Sequence, residues 1–253
     1  MVIPEGYHLV WSDEFDGDEL NQADWNYEVH EPGWVNEELQ SYVADSRYAS
    51  VKDSILTIQP VKTVNPDGSV SYVSGRVNTQ GKHDYRYGWF EARIRVPKGK
   101  GFLPAFWMMP KEEDYYGPWP KCGEIDIMEV KGDQTDRCYG TLHFGEPHEQ
   151  RQGFRDIKGP DYAEDYHVYA VEYEPGKITW YVDGEEYYST GDWFSAVEGE
   201  EKRPWPAPFN QEFHVILNVA VGGVWPGDPD PDLVFDESTA MKVDYVRIFQ
   251  KDA

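Results

Sequence analysis

Residues Phe90-Glu91-Ala92-Arg93-Ile94-Arg95-Val96 alternate apolar and charged side chains without a break. That period of two belongs to a β-strand with one face in a core and the other in water. The same reading extends outward along the chain. Val168 to Tyr173 and Ile178 to Val182 flank Pro175-Gly176, and Asp183-Gly184 follows at once, so two consecutive hairpins are predicted. Phe213 to Val221 and Val243 to Phe249 add two more runs rich in Val, Ile, Tyr and Phe. Turn signals recur at Asp16-Gly17, Pro32-Gly33, Pro66-Asp67-Gly68, Pro97 to Gly101 and Pro226-Gly227. No sustained three-four apolar spacing appears, so helix is expected to be minor. Many short strands without βαβ alternation predict an all-β sandwich or barrel, and no repeat or linker divides residues 1–253.

Composition narrows the partners. The 253 residues carry 23 Lys plus Arg against 47 Asp plus Glu, a formal charge of −24. Nucleic acid and anionic lipid are disfavoured by that sign, and sulfated substrates less firmly, which leaves a neutral partner as the simpler expectation. Aromatic residues make up 15%, with 10 Trp and 18 Tyr, more than a core tends to need. Such rings recur where a surface grips something flat and partly apolar. Two cysteines, Cys122 and Cys138, exclude a disulfide framework and a four-thiolate zinc site. The longest apolar stretch, Phe213 to Val224, is too short and too interrupted to span a bilayer. The opening residues lack the charged-then-apolar pattern of a signal peptide.

The chemistry concentrates in Cys122-Gly-Glu-Ile-Asp-Ile-Met-Glu-Val130. Glu124 and Asp126 share one face of a strand, whereas Glu129 falls out of parity with them. The apolar residues slip at the same point, Ile125 and Ile127 giving way to Met128 and Val130. One β-bulge near Ile127-Met128 restores both patterns and puts all three acids on one face. The two glutamates then sit about 13 Å apart at Cα, and side chains leaning together leave roughly 5 to 6 Å between carboxyl groups, the spacing of a retaining glycosidase pair. A solvated acidic face is the alternative for three bare acids. A hairpin near Gly132 to Asp136 would bring the strand of Thr141 and His143 alongside, with His143 near Glu124 or Asp126. No nucleophile elbow, Walker loop, dinucleotide fingerprint or His-Glu-x-x-His is present.

On these residues the chain resembles glycoside hydrolase family 16, most closely its endo-β-1,3-glucanase (laminarinase and lichenase-type) members. Glu124-Ile-Asp-Ile-Met-Glu129 is similar to that family's bulged signature. The resemblance continues through Trp34-Val-Asn-Glu-Glu-Leu-Gln40, Ser74-Gly-Arg76, Tyr87 to Arg93, Pro104-Ala-Phe-Trp107, Thr141-Leu-His143 and Asn218 to Gly227, with Leu103 standing where many relatives have Trp. It implies a jelly-roll β-sandwich of two curved antiparallel sheets with a concave cleft. It further implies Glu124 as nucleophile, Glu129 as acid/base and Asp126 as their hydrogen-bonding partner. Trp107, Trp119 and Trp225 become candidate stacking faces. Asn36, Glu38, Arg76, His143 and Asn218 become candidate polar contacts, each with a structural alternative: core for Trp107, an acid pair for Arg76, backbone support for Asn218.

The resemblance also implies a neutral β-glucan substrate, cut internally by a secreted monomer with no cofactor required for catalysis. A structural calcium ion near Glu14 and Asp244, stapling the terminal strands, is a further expectation, with two solvated acids as the alternative. Competing readings are a non-catalytic β-glucan-binding module and a same-fold hydrolase of agar or carrageenan.

Overall fold

A computed structural model describes residues 3, 5–195, 199, 201 and 203–252. Its strands, in chain order, are β1 (Tyr7–Asp13), β2 (Asn26–Tyr27), β3 (Gln40–Tyr42), β4 (Ala49–Lys52), β5 (Ile55–Ile58) and β6 (Val61–Val64). Next come β7 (Val70–Ser74), β8 (Arg76–Asn78), β9 (Gly88–Arg95), β10 (Phe102–Pro110), β11 (Glu124–Val130) and β12 (Arg137–Phe144). The last are β13 (Glu149–Asp156), β14 (His167–Glu174), β15 (Lys177–Val182), β16 (Glu185–Thr190), β17 (Phe213–Val221) and β18 (Met241–Lys251). Among the described residues, helix is confined to a single 3-10 turn at Glu237–Thr239.

Two antiparallel sheets carry the fold. One is ordered β16-β15-β14-β9-β18-β5-β4, with β1 also on β18, and the other β13-β12-β11-β10-β17-β8-β2. One hydrophobic core joins their facing sides, drawing Phe90, Ile94, Val171 and Trp180 from the first sheet and Phe106, Met128, Leu142 and Leu217 from the second. The predicted strands and both hairpins are found, and β14, β15 and β16 follow one another across Pro175-Gly176 and Asp183-Gly184. A small third sheet, β3-β7-β6, includes a parallel pair that no local pattern announces.

One expectation needs correction. The charged face of β9 is not uniformly wet, because Glu91 is 1% exposed. Trp89, Ala170 and Phe249 form a second apolar layer on the outer side of the first sheet, and Trp89 Nε1 donates to Glu91 Oε2 at 2.8 Å. The register explains the cover: β14 and β18 flank β9 on both sides, so Glu91 lies between Ala170 and Arg247 instead of at an edge.

Candidate active site

The bulge is where the sequence puts it. On one side Phe106 pairs with Met128 while Trp107 pairs with Asp126, which leaves Ile127 unmatched. On the other side Asp126 pairs with Thr141 and Glu129 with Tyr139, so Ile127 and Met128 together face the single residue Gly140. Two residues opposite one is what defines a β-bulge. Its effect is that Ile127 and Met128, adjacent in sequence, both enter the core, at 1% and 0% exposure. Glu124, Asp126 and Glu129 are thereby turned to the opposite face.

The core also supplies a fixing bond. Trp180 Nε1, from the first sheet, donates to Asp126 O at 2.7 Å. A buried carbonyl is satisfied there by a donor that crosses the whole interior, an interaction that costs about 1 to 3 kcal/mol to leave unmade. Gly140 makes the approach feasible, since a Cβ at that position would lie 2.4 Å from Trp180 Cδ1 and 2.5 Å from the Tyr187 hydroxyl.

Glu124 and Glu129 pair with His143 and Tyr139, four residues apart on β12, so their Cα atoms are separated by about 13 Å along the strand. Between them Asp126 is 2% exposed, and its Oδ2 lies 3.3 Å from His143 Nε2. One donor atom each from Glu124, Asp126 and His143 falls within a 4.8 Å cluster. Trp119 Nε1 donates to Glu124 Oε2 at 2.5 Å. Thr141 Oγ1 donates to Glu129 Oε2 at 3.4 Å and accepts from Gln152 Nε2 at 3.0 Å.

Electrostatics separate the acids. Burial, then the charge of Asp126, holds the Glu129 carboxyl well above the ordinary glutamate range, although His143 and Thr141 pull the other way. Asp126 is raised for the same first reason, with the charge and hydrogen bond of Glu124 next. The direction of the Glu129 shift favours its protonated form, as a general acid requires.

Around this cluster the outer face of the second sheet forms a cleft of about 810 Å³. Asn36, Glu38, Arg76, Trp107, Trp119, His143 and Trp225 all line it. Arg76 forms the acid pair that was one of its two readings. Its Nε donates to Glu28 Oε2 at 2.7 Å, while its guanidinium carbon lies 4.7 Å from the Trp107 ring and 5.2 Å from the Trp34 ring. Asn36 sits at a left-handed φ of 51°, and its carbonyl accepts from Val224 N at 3.0 Å, latching the Trp34 segment to the Trp225 segment. Burial raises Glu38, against the pull of its Gln40 and Asn36 hydrogen bonds.

Asn218 departs from expectation. It lies behind the cleft at 6% exposure, where Oδ1 accepts from Trp107 Nε1 at 2.7 Å and Nδ2 donates to the Tyr42 hydroxyl at 3.0 Å. Its amide oxygen holds the Trp107 indole and its amide nitrogen is anchored on Tyr42, so it supports a wall of the cleft and is not among the lining residues. Sequence reasoning also passed over Trp34, His30, Glu113 and His148. Trp34 is 49% exposed and stacks on His30 at 3.5 Å between ring centroids. Its place in the quoted motif beside Asn36 and Glu38 was the available signal.

The metal expectation meets a different donor chemistry. Glu14 is held by Arg247 through two contacts of 2.8 Å, and Asp244 Oδ2 accepts from Arg93 Nη1 at 2.6 Å. Each carboxylate is already neutralised by a guanidinium, so these two side chains do not form a calcium donor set.

Comparison with known proteins agrees with this geometry. Residues 35–247 match the model of Glycosyl hydrolases family 16. The chain is 37% identical to Glucan endo-1,3-beta-glucosidase A1 of Niallia circulans over 97% of its own length, but spans only 38% of that protein. It is 40% identical to the Beta-glucanase of Rhodothermus marinus, covering 96% of this chain and 85% of that one. The solved laminarinase from Rhodothermus marinus superposes with a TM-score of 0.82 at 38% identity, over 98% of each chain. With its bulged trio of acids on the open face of a two-sheet sandwich, the chain belongs to glycosyl hydrolase family 16.

Proposed function

We propose that this chain is an endo-acting, retaining β-1,3-glucanase in which Glu124 attacks the anomeric carbon and Glu129 serves as acid/base. The reading rests above all on the bulge, which brings both glutamates onto the face of one cleft from a single strand. A Cα separation of about 13 Å lets carboxyl groups that reach toward each other attain the short spacing of a retaining pair, about 5 to 5.5 Å. No water then fits between Glu124 and the sugar. The carboxylate of Glu124 forms a glycosyl ester while protonated Glu129 gives its proton to the leaving oxygen. Glu129, now ionised, removes a proton from the water that hydrolyses the ester. Burial of Glu129 favours the first of these steps, because it keeps the proton in place at working pH.

Internal cleavage follows from the shape of the cleft. Its lining runs from Glu28, next to β2 at one edge of the sheet, across to Gln150 and Gln152 on β13 at the other. A long chain can therefore enter and leave at both ends. Trp34, Trp119 and Trp225 are 49%, 50% and 38% exposed, which suits stacking on pyranose rings. Among the described residues, five acids, Glu28, Glu38, Glu113, Glu124 and Glu129, line the cleft with a single arginine, and that arginine is paired with Glu28. Such walls favour a neutral glucan over sulfated galactans. Mixed-linkage β-1,3-1,4-glucan is included as a secondary substrate. Action outside the cell, by a monomer, completes the reading, since a polymer of this size does not cross a membrane.

Proton NMR of fresh laminarin digests tests the proposal, with the β-anomer expected first and a ladder of internal fragments alongside it. Glu129→Ala should lose about 10² to 10⁴-fold on laminarin yet recover with azide as the β-glycosyl azide when the aglycone is a good leaving group. An α-anomer as first product, or glucose alone from the chain end, would overturn it.

A further inference from the structure

A line of three side chains leads from the buried centre of the site to open solvent. At its inner end Asp126 Oδ2 is sealed from water and makes no aligned hydrogen bond, with His143 Nε2 3.3 Å away. The other nitrogen of that ring, Nδ1, lies 2.8 Å from His148 Nε2, and the two rings stack with centroids 5.1 Å apart. His148 closes the turn before β13 and is solvent-exposed. Exposure thus rises from one member to the next, with the Asp126 side chain at 3% and that of His143 at 18%.

A contact between two imidazole nitrogens at 2.8 Å requires one to donate and the other to accept, and the choice fixes the remaining nitrogen of each ring. With Asp126 protonated, His143 carries its hydrogen on Nδ1 and gives it to His148 Nε2. With Asp126 ionised, both hydrogens reside on the Nε2 atoms. The two arrangements differ only by a shift of protons along the line.

We propose that His148, acting through His143, is a positioning residue that carries the proton of Asp126 to and from solvent during each turnover. The idea rests on the reading of Glu124 as nucleophile. When Glu124 becomes an ester, its negative charge disappears, and with it one reason for Asp126 to stay protonated. Asp126 Oδ2 then passes its proton to His143 Nε2, His143 Nδ1 passes one to His148 Nε2, and His148 Nδ1 releases one to water. Both rings end neutral with their tautomers reversed, and the net change is one proton from Asp126 to solvent. The carboxylate left behind strengthens Glu129 as the base of the second step, because the charge of Asp126 raises the proton affinity of Glu129. Hydrolysis of the ester restores Glu124 and runs the line backward.

The charged groups on the segments around the pair are Glu124, Asp126 and Glu129 on β11, the Lys121–Glu146 pair at 2.9 Å, and Glu149 with Arg151 at 3.0 Å on β13. Burial and then His143 hold His148 below the usual imidazole range, against the pull of Glu124, so the outer ring is neutral and able to accept at neutral pH.

The test is the hydrolysis of an aryl β-laminaribioside with a good leaving group by the wild type, His148→Gln and His143→Gln. Failure of the wild type to release the β-anomer would count against the glucanase reading and not against the relay. If the relay operates, His148→Gln lowers kcat about tenfold and KM by a similar factor, leaving kcat/KM within twofold. Intact-protein mass spectrometry then finds glycosyl-enzyme accumulating, and added imidazole restores kcat because the site is open to solvent. His143→Gln should accumulate the same intermediate. An unchanged kcat in His148→Gln, or a parallel loss of kcat and kcat/KM with no accumulation and no response to imidazole, overturns the proposal.

Discussion

Trp180→Phe separates the contribution of the bulge from that of the core around it. The indole is fully buried, and its one polar contact is the 2.7 Å bond to Asp126 O. Phenylalanine leaves that carbonyl without a donor, at a cost of about 1 to 3 kcal/mol. It also vacates roughly 40 Å³, worth about 1 kcal/mol at 24 cal/mol per Å³. The total of about 2 to 4 kcal/mol corresponds to a fall in Tm of about 4 to 16 °C for a domain of this size. A second, independent effect is expected on catalysis. Asp126 lies directly before the bulged pair, and a shift of the order of 1 Å between reacting groups costs about 10²-fold. Activity per folded molecule at 25 °C should therefore fall at least tenfold. Trp25→Phe is the matched control, since Trp25 is equally buried and donates to Asp13 Oδ2 at 2.8 Å, outside the cleft lining. It should lose comparable stability and keep kcat/KM within about twofold. Differential scanning calorimetry and initial rates on laminarin, both corrected for folded fraction, make the comparison. A Trp180→Phe enzyme with wild-type kcat/KM would refute the claim that the cross-core bond sets the acids.

Glu129→Gln should trade activity for stability in a pH-dependent way. A carboxyl whose folded pKa is raised contributes stability below its unfolded pKa and loses it as pH rises through the folded one. The stability advantage of Gln should thus be small in acid and grow on the alkaline side, by about 1.4 kcal/mol for each unit by which the pKa is raised. A pH-independent difference in melting curves would remove burial as the cause. Asn218→Ala should release the Trp107 indole, weakening laminarioligosaccharide binding by about five- to twentyfold with a smaller change in kcat; calorimetric titration with unchanged affinity would show that Trp107 needs no such support.

What the sequence made legible was whatever local periodicity encodes. β9, the two hairpins of β14 to β16 and the bulge of β11 each follow from alternation within fewer than ten residues, and the slip at Ile127-Met128 was readable because a strand has only two faces. Pairings between distant segments were not legible. The parallel contact of β3 with β7, the aromatic cover over Glu91, and the arginines that hold Glu14 and Asp244 depend on which strands become neighbours. The amide of Asn218 shows the limit most plainly. Its parity on β17 puts it on the cleft side of the sheet, yet Trp107 and Tyr42 close over it, and neither neighbour is near it in sequence. His148 escaped notice because a turn residue carries no periodicity at all.

The abundance of acid in this chain acts at two ranges, and magnitudes tell them apart. At about 4 Å and an effective dielectric near 20, one charge shifts its neighbour by about 4 kcal/mol, whereas beyond a Debye length of about 8 Å in physiological salt surface charges are largely screened. The proton on Glu129 is therefore held by burial and by Asp126 and Glu124, and the net charge of −24 has almost no part in it. An approaching polymer meets the opposite situation. A polymer laid across the cleft from Glu28 to Glu129 experiences the summed field of that wall, and any sulfate it carried would face the acidic side chains of Glu28, Glu38, Glu113 and Glu124, with Arg76, itself paired with Glu28, as the one arginine among the described lining residues. Neutralising Glu38 and Glu113 should then relax the exclusion of sulfated glycans while leaving the pH profile of laminarin cleavage in place, because neither acid is among the groups that set Glu129.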